Sequence, residues 1–137
     1  MAQTEKPTQL GYGEFGRLGA GEAATCVKSI VGLTGACTAA EASTFLNPGG
    51  ATKLAANGFT LVNATTVAAT DTSVTDDTIQ VNHVFTCATA AQSVSGFAIE
   101  NDDDDVVYME CCFNAAIACE VADTITVVAK MQFKLGS

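Results

Sequence analysis

The chain has 137 residues, enough for one domain with a hydrophobic core, and 48% of its residues are hydrophobic. Fifteen acidic residues against six basic ones give a formal net charge of −9 at pH 7. Direct binding to nucleic acid needs clustered cations, and a membrane-spanning helix needs a long apolar run, so this composition argues against both.

The first 21 residues are predicted to form an extended N-terminal arm, followed by one domain over residues 22–137. Glycine recurs through this segment, at Gly11, Gly13, Gly16, Gly19 and Gly21, and dense glycine disfavours a helix. The spacing of the first three fits a phosphate-loop pattern, but no predicted strand precedes it, which argues against a nucleotide site. Tyr12 and Phe15 stand between the glycines as candidate contacts for assembly with a neighbouring subunit.

Residues 25–33 are apolar and β-branched enough for a first strand. Thr38 and Glu41 have the spacing of a capping box, and Pro48 ends any helix that begins there. This region is therefore predicted to hold one short helix of about two turns.

From residue 59 onward the sequence predicts strands separated by turns. The predicted strands cover residues 59–67, 78–87, 93–99, 106–113 and 123–135. The last one alternates strictly, with Ile125, Val127, Ala129 and Met131 on one face and mostly polar residues on the other. Short, regularly spaced strands of this kind predict an all-β fold, an antiparallel β-sandwich of jelly-roll type.

The six cysteines are candidates for disulfide bonds: Cys26, Cys37, Cys87, Cys111, Cys112 and Cys119. No targeting segment is visible in the sequence, which favours reduced thiols instead. Disulfide bonds and the lack of a targeting segment are compatible in two cases. The protein could belong to a particle that is assembled in a cell and released by lysis, or it could be an intracellular protein of a hot-environment archaeon. Buried free thiols are the remaining alternative.

Geometry limits the pairing of these cysteines without deciding it. Cys111 and Cys112 are neighbours on a predicted strand, so their sulfurs should point to opposite faces. Cys87 is a candidate partner for the inward one, and Cys26 and Cys37 could close a small loop. Fifteen connectivities are possible for six cysteines.

An acidic tip between two predicted strands comprises Asp102, Asp103, Asp104 and Asp105. Dense carboxylates suit Ca²⁺, which makes these residues a weak candidate site. The spacing fails the EF-hand pattern, and adjacent residues cannot all point at one ion, so a solvated hairpin tip is favoured. No cofactor and no metal are expected.

Nothing in the spacing of titratable residues indicates an enzyme. His83, the single histidine, falls on the apolar face of its predicted strand, which favours a satisfied core or interface residue over a catalytic base. Asn63 begins a glycosylation triplet, a weak signal in a chain rich in Asn and Thr.

The second half of the chain resembles small virion proteins of tailed bacterial and archaeal viruses. The resemblance covers residues 71–135 and is carried by the successive stretches TIQVNHVFT (78–86), VSGFAIEN (94–101), VVYM (106–109) and ADTITV (122–127). It departs from the family pattern at Ala122, where glycine is usual, and in its acidic tip. The resemblance implies a β-sandwich that decorates a capsid or forms part of a tail.

The leading hypothesis is therefore a non-enzymatic virion protein. It would bind copies of itself and major capsid or tail proteins, but neither nucleic acid nor membranes. The alternative is an extracellular or cell-surface filament subunit joined by strand addition. A monomeric module that binds Ca²⁺ through the acidic tip is a third, weaker hypothesis.

Overall fold

A computed structural model describes residues 3–22, 26–71, 77–101 and 106–133. The described residues form nine strands and one α-helix. In chain order these are β1 (Gln3–Pro7), α1 (Gln9–Ala20), β2 (Val27–Thr34), β3 (Thr52–Lys53), β4 (Val62–Asn63), β5 (Thr66–Thr70), β6 (Thr78–Thr86), β7 (Gln92–Asn101), β8 (Val107–Cys119) and β9 (Thr124–Gln132). The prediction of a mainly β protein is confirmed.

The strands form two antiparallel sheets. One has the order β1-β8-β7-β2-β3, with β4 also pairing to β2, and the other has the order β5-β6-β9. Both sheets contribute to one hydrophobic cluster, which includes Ile30, Ile99 and Tyr108 from the first sheet and Val81, Phe85 and Val127 from the second. The larger sheet thus shares a core with the smaller one.

The predicted alternation of β9 is confirmed. Val127, Ala129 and Met131 are buried, whereas the residues between them are exposed. The strand ends at Gln132, and the last predicted strand residues, 134 and 135, lie outside the described part of the chain. Period-two alternation was a reliable guide here because β9 buries one face only.

The predicted strand over residues 59–67 is divided in the structure. Asn63 in β4 pairs with Ser29 of the larger sheet, whereas Val67 in β5 pairs with Val81 of the smaller one. The chain therefore crosses from one sheet to the other between these residues, a change of partner that apolar character alone does not show.

The prediction of an extended N-terminal arm is wrong. Residues 3–7 pair with β8 of the same chain, and residues 9–20 form α1. Thr8 caps the helix, its hydroxyl accepting a 3.0 Å hydrogen bond from the Gly11 amide, and Gly21 ends it with φ 74°.

Packing against β8 explains why so glycine-rich a segment is helical. A Cβ atom on Gly11 would lie 2.7 Å from the Cα of Tyr108, so glycine permits the helix to approach β8 closely. The Phe15 and Tyr108 rings lie 4.6 Å apart. This burial offsets a helix-propensity cost of about 1 kcal/mol per glycine.

The short helix predicted from Thr38 does not form either. The amide of Thr38 donates to the Gly49 carbonyl, and the amide of Ala40 donates to a carboxylate oxygen of Glu110. These two bonds tie the segment to the turn at Gly49 and to β8, so it follows the sheet surface instead. A single 3₁₀ turn, Pro48–Gly50, is the helical structure it contains.

Candidate interaction surface

Much of residues 35–61, here called the covering segment, lies over one face of the larger sheet, while its β3 is an edge strand of that sheet and its Phe59 belongs to the shared core. A second hydrophobic cluster joins the two: Val31, Leu33, Ala98 and Val107 from the sheet meet Ala51, with Cys37, Phe45 and Leu61 packed against them. The covering segment is thus held on a face that would otherwise be exposed.

A disulfide between Cys37 and Cys112 links the covering segment to β8, with the two Cα atoms 5.4 Å apart. The small loop considered between Cys26 and Cys37 does not form. The expectation that Cys111 and Cys112 point to opposite faces is confirmed, since Cys112 meets the covering segment and Cys111 lies in the shared core.

Two buried carboxylates lie on the covered face of the sheet. Glu110 is fully buried and accepts hydrogen bonds from the Ala40 amide at 2.5 Å and the Ser43 hydroxyl at 2.6 Å. Glu100, equally buried, forms an ion pair with Lys53. Buried charges are tolerated only with partners, and both sets of partners come from the covering segment.

Lys53 has a second contact that fixes its position. Its ammonium nitrogen lies 3.3 Å from the centroid of the Phe45 ring, a cation–π geometry within the same segment. Sequence reasoning missed Glu100 and Glu110. The sequence did contain a signal for them: Glu110 lies within one predicted apolar strand and Glu100 directly follows another. A charged residue that is buried in such a place needs a partner.

Four of the six cysteines are free thiols. Cys87, Cys111 and Cys119 are buried and Cys26 is exposed. Burial, assisted by the nearby Glu5 carboxylate, raises the pKa of Cys111 to about 12, and burial also raises the pKa of Cys119. Nucleophilic cysteines need the opposite shift. Cys87 donates to the Ala90 carbonyl at 3.0 Å rather than pairing with Cys111.

His83 lies where its strand pattern predicts, partly buried beside the core. Its Nδ1 is 3.1 Å from the Thr65 hydroxyl, and its ring meets Phe85 edge-on at 4.6 Å. Burial lowers the pKa of His83, which favours the neutral imidazole. The Asn63 side chain of the glycosylation triplet is exposed.

The two aromatic residues predicted to serve assembly, Tyr12 and Phe15, lie on α1. The Tyr12 side chain is 58% exposed, whereas Phe15 is partly buried between Tyr108 and Phe133, whose ring lies 5.0 Å away. Tyr12, Phe15 and Phe133 line a groove of about 220 Å³, together with Met131, Glu5 and Lys130 among others. The structure therefore brings Tyr12 and Phe15 together, but on the body of the protein.

A second groove, almost entirely apolar, is also lined by residues of α1. It has a volume of about 260 Å³ and is lined by Phe15, Leu18, Cys26, Val27, Val67 and Ile79, among others. Strand β5 forms one wall of this groove. Within the described residues β5 pairs with β6 alone, so its second edge is open.

The candidate Ca²⁺ residues Asp102, Asp103, Asp104 and Asp105 lie outside the described residues. Within the described part of the chain, no cluster of three or more His, Cys, Asp or Glu side chains could hold a metal ion. The helix that is described lacks the length and apolarity needed to cross a membrane.

Comparisons with protein-family models, with curated proteins and with solved structures find no match to this chain.

Proposed function

We propose that this chain is a non-enzymatic structural protein that assembles with copies of itself in a virion, on the capsid or on the tail. Its two sheets pack as a β-sandwich of jelly-roll type. The observation that carries the proposal is the open edge of β5, which lies beside an apolar groove.

Edge strands of soluble proteins are usually protected against pairing with other chains. The other described edges have such protection: β1 contains Glu5, Lys6 and Pro7, β3 and β4 are two residues long, and β9 has Lys130 on its exposed face. Strand β5 has five residues, with no charge and no proline. An unprotected edge of this kind suits a protein that associates through it.

The covering segment supports a structural role as well. A disulfide, an ion pair and a buried carboxylate hold it on the sheet at three places. Such cross-links make a fold more resistant to unfolding, a useful property in a particle that leaves the cell. The pattern over residues 71–135 gives further support for a virion protein.

The alternative is an extracellular or cell-surface filament subunit joined by strand addition. The same open edge favours it, since an added strand gains main-chain hydrogen bonds. The disulfide is compatible with that oxidising location too. The two functions differ in what surrounds the protein, which is a capsid or tail protein in one and only further copies in the other.

Mass spectrometry and immunogold labelling of extracellular particles from the source culture would test the proposal. We expect the chain to copurify with a capsid or tail protein and to be labelled on the particle surface. Filaments that contain this chain alone would support the alternative. Absence from all particles, together with turnover of a substrate by the purified protein, would overturn both.

A further inference from the structure

We propose that two copies of this chain dock by antiparallel pairing of their β5 strands about a two-fold axis at Ala68. This inference rests on the proposed function and names the contact between copies. A contact of this kind uses the same surface on both subunits and closes on itself, which gives a dimer rather than an open chain.

The backbone of β5 is suited to this pairing. Its register with β6 runs without interruption from Thr66, opposite Asn82, to Thr70, opposite Thr78. The pairing with β6 uses one edge of the strand and leaves a regular second edge of amide and carbonyl groups. A second β5, running antiparallel, would extend the three-stranded sheet to six strands across the two copies.

The side chains are self-complementary in this register. Ala68 would lie opposite the partner's Ala68, Thr66 opposite the partner's Thr70, and Val67 opposite the partner's Ala69. Pairs of Thr residues and of small apolar residues are favourable neighbours across strands. No side chain of β5 is large enough to prevent the approach.

The apolar groove gives this pairing a hydrophobic component. Val67 and Ala69 line the groove beside Phe15 and Leu18, and the Val67 side chain is 40% exposed. A two-fold axis perpendicular to the sheet places the same face of both copies on the same side. Val67 and Ala69 of each copy would then cover those of the other and remove apolar surface from water.

The charge of the protein is compatible with pairing at β5. Two chains of net charge −9 repel each other, and a neutral strand is where they can approach with least repulsion. The nearest described acid, Asp71, would lie opposite the partner's Thr65, so no two like charges face each other across the new ladder. The occupant that fits this neutral, self-complementary edge is a second copy.

Charge substitutions at Ala68 test both the surface and the axis. Ala68 also lines the groove but is itself exposed, so a longer side chain can extend into solvent and Ala68→Lys and Ala68→Glu should leave the fold intact. Each variant alone would place two like charges opposite each other, and we expect its dimer affinity to fall at least about tenfold. An equimolar mixture should regain a dimer with one copy of each. Ala116→Lys, an equally exposed strand residue on the larger sheet, is the control and should dimerise like wild type.

Cys26 provides a second test, through the groove. Among the free cysteines of the described residues it alone is exposed, and it lines the groove. Labelling dilute protein with a bulky maleimide should block dimerisation after concentration. Cys26→Ser given the same treatment should dimerise normally.

Sedimentation velocity and light scattering over a range of concentrations would read out these tests. If Ala68→Lys dimerises like wild type, the β5 interface is wrong, whereas the proposed function stands. If the mixture of Lys and Glu variants forms no dimer, the two-fold axis is wrong. A wild-type protein that stays monomeric at all concentrations overturns this inference, and the particle experiment then decides the proposed function independently.

Discussion

The hydroxyl of Ser43 lies 2.6 Å from a carboxylate oxygen of Glu110, and this contact joins the covering segment to the first half of β8. Glu110 also accepts from the Ala40 amide, so one buried side chain satisfies two donors of a segment that has no helix or sheet of its own there. One backbone amide and one hydroxyl of the covering segment therefore depend on this carboxylate.

We expect Glu110→Ala to lower the free energy of unfolding by about 2–3 kcal/mol, because it removes a fully buried side chain together with the acceptor of the Ala40 amide and the Ser43 hydroxyl. Glu110→Gln retains an acceptor oxygen for both donors and nearly the same volume, so it should cost less than Glu110→Ala. Urea unfolding of both variants checks this difference. Equal losses for the two would show that the donors of the covering segment do not depend on residue 110.

The Cys37–Cys112 disulfide should contribute about 3–4 kcal/mol to stability, because the residues it joins are 75 apart in sequence. The double variant Cys37→Ala/Cys112→Ala should therefore unfold at clearly lower urea concentration than wild type. Reductant should shift wild type towards the variant and leave the variant unchanged. Cys26→Ser is the matched control and should behave like wild type in both conditions.

How much of this fold the sequence predicts depends on how local each interaction is. The strand β9 and the position of His83 were predicted correctly, because period-two burial is visible in consecutive residues. The disulfide was not predicted, since pairing of Cys37 with Cys112 depends on how the covering segment folds back over the sheet. The same holds for Glu110, whose donors are about 70 residues away along the chain.

The candidate site was predicted in part. The sequence predicts Tyr12 and Phe15 as contact residues but does not predict that they lie on a helix packed against β8. The glycine content that disfavours a helix is visible locally, whereas the packing that offsets it involves residues far away along the chain. The open edge of β5 could not be predicted from residues 59–67. Whether a strand lies at an edge depends on which strands pair with it, and those come from elsewhere in the chain.

Two glycine substitutions would test the structure of the N-terminal segment. A Cβ on Gly11 would meet the Tyr108 backbone, whereas a Cβ on Gly16 would meet nothing within 4 Å. We expect Gly11→Ala to cost about 1–3 kcal/mol through overpacking and Gly16→Ala to stabilise the protein by about 0.5–1 kcal/mol through helix propensity. Thermal unfolding would measure both. In an extended, unpacked segment the two substitutions would have the same small effect.

His83 should make stability depend on pH. Because burial lowers its pKa in the folded state, the unfolded state binds the proton more strongly, and stability should fall as the pH drops below about 6.5. Because His83 is the single histidine, an NMR titration of the imidazole signals gives its folded-state pKa directly. Urea unfolding at about pH 7.5 and about pH 5.5 then measures the loss.

His83→Gln should reduce the difference between these two conditions, since it removes the titrating group while carboxylates continue to contribute equally to both proteins. A folded-state pKa at or above the unfolded value, or a variant with the same pH dependence as wild type, would contradict the assignment of His83 as a neutral residue packed against Phe85.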